Sequence, residues 1–257
     1  MVDNIPKYTP IEKIDGVYVK RDDLYRRAGC CGGKVRACYY LATRGTGRDG
    51  GLITASARRS PQAQIVARLA TYLGREARCH MPTGKQTEEM QDVVAHGGTI
   101  IQHRAGYNNV IIARAKADYA ARPGWRYIPF GMEDPGAVRC TREQVANIPR
   151  EINRIVIPIG SGMSAAGVLH GLRDRGLDIP VLGIRVGANP TKRLDTFAPF
   201  GWRAMMSLVD VTPTVAYHKP VTAQLGGLPL DPIYEAKCLE YLHRNDLFWV
   251  VGRRVKI

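Results

Sequence analysis

Short apolar runs alternate with helical patterns along most of this 257-residue chain, and that alternation limits the fold more than any other feature. VYVK (17–20), GLITAS (51–56), residues 77–81, 99–102 and 126–129, RIVIPIG (154–160) and VLGIRV (181–186) each fit a short buried strand. Helical patterns fall at about 34–42, 62–73, 87–96 and 108–119, after Pro135-Gly136, and up to about 172. Strands of this length separated by helices predict an α/β fold with mostly parallel sheets. No apolar run approaches the ~20 residues that span a bilayer. The opening MVDNIPK has no signal-type apolar segment, so a cytoplasmic protein with no membrane partner is expected. The six cysteines lack C-x-x-C spacing, which predicts free thiols and no metal site.

Three stretches carry chemistry. The first is GCCGGKVRACYY, residues 29–40. A glycine-rich turn there ends in Lys34, at the start of a helical pattern. Glycine has no Cβ, so a planar ligand can approach closely. The helix N-terminus favours anions. A lysine so placed suits Schiff-base chemistry, against the plainer reading of a solvated lysine after a turn.

The second is IGSGMSAAGVLHGL, residues 159–172. A buried strand runs into Gly160-Ser161-Gly162 and then a helix, so backbone N–H groups and the Ser161 and Ser164 hydroxyls can cradle a phosphate. No Lys-Ser/Thr follows, as a Walker A loop requires, and Ala165 stands where a dinucleotide fingerprint needs glycine. Gly167 and Gly171 allow close packing of this helix. The third is LPLDPIYEAK, residues 228–237, which puts Tyr234 and Glu235 at the start of an expected last long helix. Each alone could be a routine first-turn residue.

Taken in order, the three stretches resemble the fold-type-II pyridoxal-phosphate enzymes, the tryptophan-synthase-β-like superfamily. Within it they are most like the aminocyclopropane-carboxylate deaminase and D-cysteine desulfhydrase branch. VKRDDL followed by GGKVR resembles that branch's KREDx and GGNKxR. GSGMSAAG resembles its phosphate loop GSGGTxAG, and DPIYEAK resembles DPVYxGK.

The resemblance implies two three-layer domains. A smaller one, residues 47–151, is inserted into a larger one of 1–46 and 152–257, with pyridoxal 5'-phosphate in the cleft between them. It implies that Lys34 holds the cofactor as an imine and shuttles the α-proton, and that Gly160, Ser161, Gly162, Met163 and Ser164 bind the phosphate. Glu235 would face the pyridine nitrogen and make the ring a better electron sink. Tyr234, and with it Tyr217 in VAYHKP, would act as acid or base. Ser60 and Gln62 fall where the branch has SNQ, a loop meeting the substrate carboxylate and the ring. A homodimer is implied likewise.

The sequence departs from the branch in places. Pro61 stands where the branch has an asparagine, Gly33 replaces the asparagine before the lysine, and the segment between Tyr217 and Asp231 is short. The expected activity is formation of a Cα carbanion (quinonoid) from an amino acid or derivative, leading to deamination by elimination, decarboxylation or racemisation. Lys+Arg 37 against Asp+Glu 23 gives +14, which favours polyanionic partners. That charge raises a variant in which the amino acid is carried on a modified base in DNA, with Arg58 and Arg59 at the entrance. A non-catalytic binding protein and a nucleotide-binding regulatory domain are the alternatives; the latter leaves Lys34 and Glu235 unexplained.

Overall fold

A computed structural model describes residues 7–45, 49–104 and 106–253. The chain divides into two compact units. One runs to Arg26 and takes in Cys31–Lys34 and Glu133–Arg253; the other takes in Arg27–Cys30 and Val35–Met132. The fold is α/β with mostly parallel sheets, as expected. Residues 133–151, which the sequence groups with the smaller domain, fall in the larger unit. The reason is packing. Helix Pro135–Arg142 lies so close to helix Met163–Asp174 that a Cβ on Gly167 would stand 2.7 Å from the Val138 carbonyl oxygen. One on Gly171 would stand 2.7 Å from that of Arg142. Among the described residues no helix is long and apolar enough to cross a membrane.

The larger unit is built on a six-stranded sheet in the order Ile11–Ile14, Val17–Arg21, Leu247–Val250, Ile155–Ile159, Val181–Arg185, Met206–Asp210. Its first pair is antiparallel and the rest are parallel. Strand periodicity sends alternate side chains to opposite faces. Ile155, Ile157 and Ile159 join the core around Leu169 and Trp249, while Val156 joins the core around Phe248 and Ile184. Both faces are therefore covered, and Ile155–Ile159 and Leu247–Val250 are buried throughout.

The KRDD motif holds this sheet together. Lys20 is fully buried and donates to the Thr9 carbonyl (2.8 Å) and Asn147 Oδ1 (2.6 Å). Asp22 accepts from Trp249 Nε1 at 3.0 Å, and Asp23 takes the fork of Arg21 and one nitrogen of Arg253.

The smaller unit has a four-stranded, all-parallel sheet in the order Thr99–His103, Glu76–Pro82, Gly51–Ala55, Trp125–Ile128. Ile53 and Ala55 pack with Ile111 and Ala115 of helix Asn108–Ala120. Thr54, between them, meets Gln62 of helix Gln62–Tyr72. Helix Glu88–Ala95 starts at Thr87, whose hydroxyl accepts from the Met90 N–H.

The last long helix expected from residue 234 onward is instead a seven-residue 3-10 turn, Glu235–Tyr241. Asp231 diverts the backbone: its carboxylate accepts from the N–H groups of Ile233 (2.9 Å) and Tyr234 (3.0 Å), and its carbonyl accepts from Ala236 N–H. Tyr234 precedes the turn with φ −112, ψ −76. Strands Ile11–Ile14, Met206–Asp210 and Leu247–Val250 were not anticipated.

Candidate active site

Lys34 is the second residue of helix Gly33–Thr43 and is half-buried. The turn before it is locked by backbone contacts. Gly32 N–H donates to the Tyr25 carbonyl, and Gly33 N–H to the Val251 carbonyl, both at 2.9 Å. Gly32 has φ +109, and a Cβ there would lie 2.6 Å from the Val251 oxygen. Only glycine fits such a position.

Val251 and Gly252, which follow strand Leu247–Val250, lead to Glu235. Its Oε1 accepts from Val251 N–H at 2.9 Å and Gly252 N–H at 3.2 Å. One peptide segment thus holds the lysine turn on one side and the carboxylate on the other. Glu235 is 1% exposed, and its other oxygen, Oε2, is buried with no hydrogen-bond partner. Burial, helped by Asp231, pushes its carboxyl well above the ordinary carboxylate range, against the pull of the backbone donors.

Strand Ile155–Ile159 delivers the chain into Gly160-Ser161-Gly162, and helix Met163–Asp174 follows. Gly162 sits at φ +92, where a side chain would be strained. The first N–H groups of any helix have no intrahelical acceptor and point at the turn before it. The Tyr234 ring lies beside Gly160, where an added Cβ would come within 3.0 Å of Cε1. Tyr234 Oη is 2.9 Å from Tyr217 Oη, with the rings edge to face. Lys237, 5% exposed, donates to the carbonyls of Ala216 (3.0 Å) and Tyr217 (3.1 Å) and so seats Tyr217 in a segment without regular structure. Hence Lys34, residues 160–164, Tyr217, Tyr234 and Glu235 all belong to the larger unit.

Arg58, Arg59, Ser60 and Gln62 lie in the smaller unit. Arg58 donates to the Lys85 carbonyl at 2.9 Å, and Arg59 is exposed. Ser60 Oγ accepts from Gln62 N–H at 3.3 Å. The Gln62 amide, 2% exposed, donates to Thr54 Oγ1 (2.9 Å) and the Pro129 carbonyl (2.8 Å) and accepts from Gly131 N–H (2.8 Å). Its polar atoms brace this unit internally. Asp231 and Lys237, the first and last charged residues of DPIYEAK, act through their hydrogen bonds to the backbone at and just before Tyr234 and Tyr217.

The model of the pyridoxal-phosphate dependent enzyme family matches residues 3–201, most of the chain. The chain belongs to this family. Pyridoxal phosphate is the cofactor that membership assigns. The residues present suit it: the buried, donorless Glu235 Oε2 can take an N–H, and the Gly160–Gly162 turn leads into a helix whose first N–H groups can take a phosphate.

A putative 1-aminocyclopropane-1-carboxylate deaminase of Pyrococcus horikoshii is 26% identical over 92% of this chain and 83% of its own length. The biosynthetic L-threonine dehydratase of Mycobacterium leprae is 28% identical over 65% of this chain. The chain spans about two fifths of that dehydratase's length, 40%. Among solved structures, an ACC deaminase homologue superposes with TM-score 0.81 at 22% identity, covering 98% of this chain and 91% of its own. The processed form of threonine deaminase isoform 2 from Solanum lycopersicum gives TM-score 0.65 at 18% identity, covering 99% of this chain and 85% of its own. At such identities the two superpositions establish the fold: fold type II.

Proposed function

We propose that this protein is a lyase that removes ammonia from a small α-amino acid or a derivative of one, starting with loss of the Cα proton. The observation that carries the reading is the buried Glu235 carboxyl, whose Oε2 has no donor and whose Oε1 joins it through Val251 to the glycine turn that presents Lys34. The deaminase and dehydratase names of the matched proteins favour deamination over decarboxylation or racemisation.

Bound pyridoxal phosphate supplies the electron sink that makes a Cα proton removable. Lys34 Nζ would hold the cofactor covalently, and the turn 160–164 would bind its phosphate. Lys34 Nζ would also be the base that takes the Cα proton. Glu235 Oε2 would accept from the ring nitrogen and hold a proton there. Tyr234 and Tyr217 share one hydrogen bond, so either hydroxyl can give a proton while the other stabilises the oxygen left behind. Ser60 would meet the substrate carboxylate, beside Arg58 and Arg59; a homodimer is the assembly we expect. The test is spectroscopic. Incubation with pyridoxal phosphate should give a band near ~410–420 nm from the lysine-bound cofactor, shifting when a substrate amino acid is added. Absence of any band contradicts the proposal.

The net charge of +14 favours a second reading of the substrate, in which the amino acid is borne on a polyanion such as DNA.

A further inference from the structure

The four strands of the smaller unit are parallel, so the loops that follow them leave the sheet at one edge, the edge where α/β sheets commonly take ligands. Three neighbouring strands, Gly51–Ala55, Glu76–Pro82 and Thr99–His103, feed loops 56–61 and 83–87 and the described residues 104, 106 and 107. These loops carry Arg58, Arg59, Lys85 and Arg104 and no acidic residue. They are also tied together. Arg58 donates to the Lys85 carbonyl (2.9 Å), Thr87 Oγ1 to the Arg58 carbonyl (3.0 Å), and Thr83 N–H to the His103 carbonyl (2.7 Å). Arg59, Lys85 and Arg104 are exposed, and Tyr107 beside them is 84% exposed, an unusual state for so large a ring.

Glu88 and Glu89 lie in the first turn of helix Glu88–Ala95, where they suit its dipole. Asp118 is paired with Arg78 at 2.7 Å and Arg122 at 3.0 Å.

A row of cations with a protruding aromatic ring is the combination that tracks a nucleic-acid backbone and stacks on an unpaired base. We propose that this edge binds single-stranded DNA, with Arg58, Arg59, Lys85 and Arg104 on phosphates and Tyr107 stacked on a base. This deepens the polymer-borne substrate reading, and it assigns that role to one edge of one sheet rather than to the overall charge.

The test is fluorescence anisotropy of a labelled 12-nucleotide oligothymidylate with the full-length protein across a salt series. Four phosphate contacts predict a slope of log affinity against log salt of about −3, from ~0.7 per contact on a single strand. Lys85→Ala with Arg104→Ala should weaken binding about tenfold near ~0.1 M salt and reduce the slope by roughly 1.4. Tyr107→Ala should weaken binding about fivefold or more. Arg150→Ala with Arg173→Ala removes the same charge from exposed sites in the other unit and should change affinity less than twofold. Equal weakening by both pairs, no effect of Tyr107→Ala, or no salt-sensitive binding overturns the proposal. Tighter binding of duplex DNA or RNA than of the single strand does so too. The visible band of the cofactor is read separately. A protein that shows the band but ignores the oligonucleotide loses this inference and keeps the enzymatic one.

Discussion

Two buried polar side chains, Glu235 in the larger unit and Gln62 in the smaller, sit in family-like motifs and are nearly equally inaccessible, at 1% and 2% exposure. Their hydrogen bonds differ. Both ends of the Gln62 amide are bonded within its unit, to Thr54, Pro129 and Gly131. One oxygen of Glu235 takes two backbone donors while the other takes none. A buried polar atom without a partner costs stability, so it persists where something else supplies the partner. The contrast separates a side chain whose polar atoms are all bonded from one with an oxygen left over, which is the property the proposed cofactor role of Glu235 rests on, where sequence motifs rank them alike.

The comparison breaks most easily at Lys34. Lys34→Ala should lower turnover by at least ~10³-fold and abolish the visible band while leaving the thermal midpoint nearly unchanged, since the side chain is half-buried. Tyr234→Phe keeps the ring beside Gly160 and removes the hydroxyl shared with Tyr217. It should lower kcat about 10²-fold, with cofactor affinity little changed.

Gln62→Ala should act on stability instead. It removes the amide's bonds to Thr54, Pro129 and Gly131 and should cost about 2–4 kcal/mol, read from the urea midpoint. A loss of cofactor affinity without a loss of stability would reverse the roles given to Gln62 and Glu235.

The smallest expected effect is a pH dependence in the cofactor-free protein. The folded carboxyl of Glu235 lies well above its ordinary value of 4.5, because burial disfavours its charge. The native state therefore binds more protons than the unfolded chain, and stability falls as pH rises above about 4.5 toward the folded value. Glu235→Gln removes that slope. Its thermal midpoint should gain on the wild type as pH increases, and the gain should shrink when pyridoxal phosphate is bound. A constant difference across pH contradicts the account of Oε2.

Much of this was legible in the sequence, for a physical reason. Strands such as GLITA and IVIPI are buried throughout, so the apolar run itself marks them, and Thr87 and Gly162 mark helix starts. Leu247–Val250 is as apolar as those strands but has no helical pattern after it to mark a strand–helix alternation. Ile11–Ile14 and Met206–Asp210 are edge strands, partly exposed and mixed in character. The 3-10 turn at Glu235–Tyr241 read as a helix because the Asp231 carboxylate, a tertiary feature, redirects the backbone. Lys34, the Gly160 turn and Glu235 could be singled out by resemblance. The link from Gly33 through Val251 to Glu235 could not, since it joins residues more than two hundred positions apart.

The most direct test of the central claim is reductive trapping. Protein loaded with pyridoxal phosphate is treated with borohydride, digested and mapped by mass spectrometry. The account predicts a phosphopyridoxyl group on the peptide containing Lys34, at near-stoichiometric yield and on no other lysine. Label spread over surface lysines, or none on Lys34, contradicts it.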